Sequence, residues 1–242
     1  MLHLARLALC ALTIAAAAPP DPPAAKDYTT LEAGALVDFR YSFPTGVGSH
    51  PELLEIILSD RAKRHAEALE TAREDAEMRR PQNTPFHPHY FLRDWVLAGQ
   101  TEQLMSLRSQ TQTFTGGAHG MHTTGLILWD KEKKAALPFS DLFAPSGFWP
   151  ILSGRVCQAL ASERLERAGM ESTSCPKPDE LVFVPSDTTS DWRFDTIQVV
   201  ADPYVAGSYA EGRYEVRIPV TGALLAAVKP EYRSSFEAQR AQ

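Results

Sequence analysis

Residues Thr113–Gly125 read TFTGGAHGMHTTG, the densest cluster of chemically capable and conformationally special residues in the chain. Glycines packed around His119 imply positive-φ backbone, or backbone lying too close to a neighbour for a Cβ. An imidazole in such a turn can contact a ligand, hold a metal or bond the local backbone. The economical reading is scaffolding, a tight or bulged connection pinned by the His119 ring. A second element, DPYVAGSYAEGRYEVRIPV, carries Tyr204, Tyr209 and Tyr214. Tyrosines bury their rings while the hydroxyls keep hydrogen-bond partners.

Two kinds of catalysis can be weighed on residue type. His87 and His89 flank a proline, and with His119 and His122 they make four imidazoles near strand ends. Zinc accepts three such ligands plus a water. No Asp or Glu stands at a recognisable ligand spacing beside them, so a histidine-bound metal is the alternative and no cofactor is expected. Nucleophilic chemistry has less support, because Ser208 in AGSYAEG lacks the strand–elbow–helix context of a GxSxG serine. The expected site is a binding surface of Gly116, Gly117, His119, Gly120, Tyr204, Tyr209 and Gly212. Rigid aromatics on loops supply contact area at low entropic cost. Trp129, Trp149 and Trp192 would serve a sugar by stacking, or else sit in the core.

These residues need elements to position them. ALVDFRYSF over 35–43 alternates as a half-buried strand does. A long helix is expected over 51–80, with Pro51 in its first turn and Pro81 beyond its end. Its stripe is Leu53, Ile56, Ile57, Leu69 and small alanines; the Asp60–Arg64 and Asp75–Arg79 pairs read as a solvated face. Strands follow over 90–99, 104–115 and 122–131, close enough together to form an antiparallel meander. A second helix is expected over 148–168, then strands over 180–184, 194–201 and 214–220, then a helical turn over 224–228. The charged end from Glu231 to Gln242 reads as frayed. Strand, helix, strands, helix, strands gives an α+β domain over 27–230, an antiparallel sheet with helices packed on it.

The bulk composition excludes several classes. At 242 residues, 44% hydrophobic and 22% charged, the chain is neither disordered nor a membrane bundle. The first 18 residues read as a signal peptide: Arg6, an apolar run from Leu7 to Ile14, then Ala15–Ala18. That run is too short to span a bilayer. Cys10 lies inside it without the small residue wanted before a lipidated cysteine, so export to the periplasm or envelope is expected. A Pro/Ala-rich spacer covers 19–26. Removing Arg6 with the leader takes the net charge from −6 to about −7, which disfavours nucleic acid and tolerates a basic protein partner. Cleavage would leave Cys157 and Cys175 as a disulfide or as two free thiols. Export favours the disulfide, which would contribute roughly 3 kcal/mol.

Taken together, the two motifs resemble the domain of unknown function in the extracellular part of RsiV, a lysozyme-sensing anti-sigma factor. The same domain, with a companion region before it, precedes the catalytic domain of PdaC-type peptidoglycan deacetylases. Members carry YTGGAHG, matched here by Gly116, Gly117, Ala118, His119 and Gly120, with Phe114 standing where Tyr is usual. A Tyr-Ala-x-Gly element leading into a strand with Pro is matched by Tyr204, Tyr209, Ala210, Gly212 and Pro219. The resemblance implies a PdaC-type part over about 27–115 and an RsiV-like part over about 116–230. It implies cell-wall partners, a basic lysozyme-like protein or peptidoglycan. Neither a deacetylase domain nor a sigma-factor-binding segment is expected here, so the resemblance carries binding rather than catalysis; the alternative is a hydrolase acting on cell-wall polymer through the histidine-bound metal.

Overall fold

A computed structural model describes residues 28–145, 147–169 and 174–239. The expected leader and spacer lie outside these residues. Six strands form the main sheet in the order β1 (Tyr28–Ala33), β2 (Val37–Phe43), β3 (His89–Gln100), β4 (Leu104–Phe114), β5 (Met121–Asp130) and β6 (Ala135–Leu137). Every neighbouring pair is antiparallel except β2–β3, which runs parallel with Val37 opposite His89. The 29-residue helix α1 (Pro51–Arg79) makes that crossover. A parallel pair needs a long connection, usually a helix. The α+β class holds, with a mixed main sheet and a separate three-stranded antiparallel sheet of β7 (Val182–Ser186), β8 (Thr196–Ala201) and β9 (Tyr214–Pro219). Two further helices are α2 (Trp149–Ala168) and α3 (Gly222–Ala227).

Strand alternation divides the core. Met105, Leu107 and Trp129 face α1 and pack with Phe39, Tyr41, Phe91, Trp95, Leu53 and Ile57. Their immediate neighbours Leu104 and Leu128 point the other way, into a second cluster with Leu152 and Val156 of α2 and Ile197, Val199 and Val216 of the small sheet. By the same alternation Arg108, Gln110 and Gln112 of β4 share the face of Leu104. The disulfide Cys157–Cys175 is formed, tying α2 to the segment leading into β7.

Besides the expected antiparallel main sheet, which the parallel β2–β3 pair makes mixed, three expectations change. The charge pairs of α1 do not lie on a solvated face. Asp60 accepts from the Tyr41 hydroxyl at 2.8 Å and from Arg93 at 2.6 Å, and Asp75 pairs with Arg79 and His89. Positions 53, 57, 60, 64, 68, 72, 75 and 79 form one helical stripe, so these charges continue the buried line of Leu53, Ile57 and Ala72. Ile56, counted in the apolar stripe, is exposed. The C-terminal segment is also not frayed as far as residue 239. Tyr232 and Phe236 are buried, and the Gln239 N–H donates to the Val220 carbonyl at 2.9 Å.

Candidate functional site

The Gly-His motif is the turn between β4 and β5, whose register closes at Thr113 opposite Met121. One side of this turn is clamped by α1. Arg79 Nε donates to Asp75 at 2.8 Å while its Nη2 donates to the Gly116 carbonyl at 3.3 Å. Gly116 has φ +83°, and a Cβ there would sit 2.9 Å from both the Arg79 and Asp75 side chains. His89, buried, completes the clamp through Nε2, 3.2 Å from Asp75. The Arg79 guanidinium holds the Asp75 carboxyl below the usual range, and the His89 contact adds to this. Gly120 is required for close approach, since a Cβ would lie 2.7 Å from the Thr113 carbonyl and collide with the Tyr90 hydroxyl. Gly117 has open space around it. Phe114, the departure from the family pattern, stacks on Tyr90 with ring centroids 5.7 Å apart.

The second motif closes on the other side. After β8, the Asp202 carboxylate accepts from the Thr124 N–H and hydroxyl, both at 2.7 Å, fixing this segment to β5. Tyr209 then stacks on His119 with centroids 3.8 Å apart at 22°, and its hydroxyl donates to the Gly120 carbonyl at 2.7 Å. His119 Nδ1 lies 2.9 Å from the same carbonyl and Nε2 lies 3.4 Å from the Tyr204 hydroxyl. The Nδ1–H tautomer satisfies both, donating to Gly120 and accepting from Tyr204. Tyr204 is 59% exposed and has φ +74°. Gly212 follows at φ 75°, ψ −158°, a conformation essentially restricted to glycine. The structure therefore brings together His119, Gly120, Tyr204 and Tyr209, with Gly116 and Gly212 shaping the backbone on either side.

Sequence reasoning missed the residue that shapes the second loop. Glu211 accepts from the Ser208 N–H at 2.7 Å, the Tyr214 hydroxyl at 2.7 Å and Arg164 at 3.1 Å. The backbone bond from Ser208 first, then the Tyr214 hydroxyl, pull its carboxyl down to about 2. Its signal was its position inside the motif, three residues after Ser208. Asp202 was likewise unmarked, because its partner is remote in sequence, while Asp75 and Arg79 were marked only as a helical pair whose contacts with His89 and Gly116 spacing does not reveal.

Beside the aromatic group opens a cavity of about 590 Å³ whose lining includes Tyr209, Gln110, Gln112, His122, Arg167 and Arg213. Glu215 on its wall binds Arg213 at 2.7 Å, Arg108 at 3.1 Å and the Gln198 amide at 2.8 Å. Arg167 donates to the Arg213 carbonyl at 2.7 Å and lies 4.4 Å over the Tyr214 ring. The wall thus presents amides, guanidinium groups, a carboxylate and a histidine, a mixture suited to hydroxyl and carboxylate partners.

The four histidines of the metal alternative do not converge. His87 is exposed, His89 is buried against Asp75, His119 stacks on Tyr209, and His122 lines the cavity. Among the described residues, no group of three or more His, Cys, Asp or Glu is arranged to hold a metal ion. Nor is any helix among them long and apolar enough to cross a membrane. Of the three tryptophans offered for sugar stacking, Trp129 is buried and Trp149 half-buried against the Phe183 ring; Trp192 is 53% exposed.

No curated protein matches the chain. The family model described as Deacetylase PdaC matches residues 32–122. A crystal structure of a DUF3298 family protein from Pseudomonas aeruginosa PAO1 is similar, at 19% identity and TM-score 0.57, covering 90% of this chain and 99% of that one. A member of the same family from Bacteroides fragilis NCTC 9343 is similar at 13% identity and TM-score 0.54, covering 86% and 94%. The chain is therefore similar to the PdaC family over residues 32–122 and shares the fold of DUF3298 family proteins over most of its length, in line with the resemblance carried by its two motifs.

Proposed function

We propose that this protein is a non-catalytic, envelope-located binding domain for peptidoglycan, docking the glycan where His119, Tyr204 and Tyr209 meet the polar cavity. One observation carries this reading. Two motifs about 85 residues apart converge to present an aromatic group at the rim of that cavity. Sugars stack their apolar ring faces on aromatics while their hydroxyls exchange hydrogen bonds with planar polar side chains. Arg167 and Arg213 suit the carboxylates of peptidoglycan despite the acidic chain as a whole. The leader expected at the N-terminus and the likeness to the PdaC family support an envelope setting.

The test is co-sedimentation of the purified chain with insoluble peptidoglycan. Tyr204→Ala and Tyr209→Ala should weaken binding by roughly tenfold, with thermal melts excluding misfolding. Unchanged binding by both variants rejects the site. A parallel titration with a basic lysozyme, at low and moderate salt, examines the protein-partner reading. A saturable, salt-sensitive complex there, with no retention on peptidoglycan, would replace the glycan by a protein ligand.

A further inference from the structure

The opposite end of β4 carries a second feature that the first site leaves unused. The loop after β7 holds Ser190 at φ 62° and Trp192 at φ 69°, both non-glycine residues in left-handed backbone. Bulky residues are uncommon in that region and persist where the surroundings over-determine them. Here Asp187 does so, accepting from the N–H groups of Ser190 at 2.6 Å and Trp192 at 3.0 Å. The Asp187 N–H donates to the Ala98 carbonyl at the β3 bulge, where Gly99 leaves room for it. The result is an indole 53% exposed, with Lys131 Nζ 5.5 Å from its centroid. The ring borders a cavity of about 300 Å³ whose wall includes Thr101, Gln103, Glu132, Asp191, Arg193 and Ser234.

With Glu102 the wall holds three carboxylates, Glu102, Glu132 and Asp191, set among the Arg193 guanidinium, the Gln103 amide and the Thr101 and Ser234 hydroxyls. An apolar occupant would strand the carboxylates, and a bare anion would meet Glu102, Glu132 and Asp191. A neutral polyhydroxylated ring satisfies the wall and offers a flat C–H face to the indole. We infer that Trp192 and its cavity form a second pyranose-binding subsite, and that the protein grips an extended glycan chain at both ends of β4. The inference rests on the glycan reading of the first site. β4 has 11 residues, so its ends lie about 30 Å apart and no single sugar reaches both. On the β4 face between them Leu104 and Ser106 are buried, while Gln110 and Gln112 line the first cavity. A further polar cavity of about 400 Å³, lined by Arg108, Gln198 and Arg217 and by Asp187 of the Trp192 loop, continues the path.

The experiment is titration with soluble peptidoglycan glycan fragments of increasing length, read by calorimetry and by indole fluorescence. Trp95 and Trp129 are buried and Trp149 is half-buried, so a change in the exposed-indole signal reports Trp192. Affinity should rise at least roughly tenfold from a disaccharide to a long fragment. Trp192→Ala should lower affinity for the long fragment to that for the short one, whereas Tyr204→Ala should weaken both. Short and long fragments binding equally through Tyr204 would overturn the second subsite and leave the first reading intact. Length-dependent binding that survives Trp192→Ala would overturn it too. Loss of all binding in Trp192→Ala with none in Tyr204→Ala would place the glycan at Trp192 alone, overturning the first site and the two-ended grip. A fluorescence response to a lysine-rich peptide, lost in salt and absent with glycan, would reassign the cavity to a cationic partner.

Discussion

Glu211 controls Tyr209 from two residues away, through bonds to backbone and to Tyr214 instead of through contact with the aromatic group. Its carboxyl is depressed to about 2 from an ordinary 4.5. A depressed carboxyl contributes stability that is fully present above its unfolded value and is lost as pH falls through the folded one. Glu211→Gln should therefore melt below the parent at neutral pH, and the gap should shrink between about pH 4.5 and 2; an unchanged gap in acid melts would refute the assignment. Tyr209→Phe keeps the ring on His119 but removes the donor to Gly120, leaving that carbonyl with the His119 bond. A loss of about 1 kcal/mol in denaturant titration is expected. At this scale the site was half legible. His119, Tyr204 and Tyr209 stood out because such residues are rare beside clustered glycines. Asp202 did not, because carboxylates are common and its partner lies 78 residues away, and the Asp75–Arg79 pair read as solvated because the contact of Arg79 with Gly116 spans 37 residues.

Strands and helices were the most legible level, since alternation and the prolines around α1 mark them locally. Direction was not. The order strand, helix, strand permits β2 to join β3 either way, and only the completed sheet decides for parallel. β1 escaped notice because five of its six residues are exposed, leaving no alternation to read. The inner charges of α1 were misread for a related reason: spacing of four shows that two side chains share a face, not which face the sheet covers. The β4–β5 turn offers the sharpest test of element-level packing. Gly120→Ala would push a methyl against Tyr90 and the Thr113 carbonyl, and backbone there cannot yield as a flexible side chain would. It should cost about 1–3 kcal/mol, whereas Gly117→Ala, facing open space, should melt near the parent. Equal melting temperatures for the two variants would contradict this geometry.

The whole molecule is one α+β unit because β4 and β5 feed both halves of its interior from alternate residues. The Cys157–Cys175 bond braces only the half built on α2 and the small sheet. Replacing both cysteines by serine should cost about 3 kcal/mol and lower the melting temperature by roughly 6–12 °C, measured against the oxidised parent. The second half has a different constraint, set by the parallel β2–β3 pair and its 29-residue crossover. β3, β4 and β5 meet through short turns and can zip early, whereas β2 must wait until the intervening chain has coiled and settled. Refolding should accordingly be biphasic, with amide protection reaching Leu107 and Ile127 before Phe39. Until that last strand seats, the edge of β3 that β2 will cover stands open, so self-association during refolding should begin there and fall when the crossover is made faster.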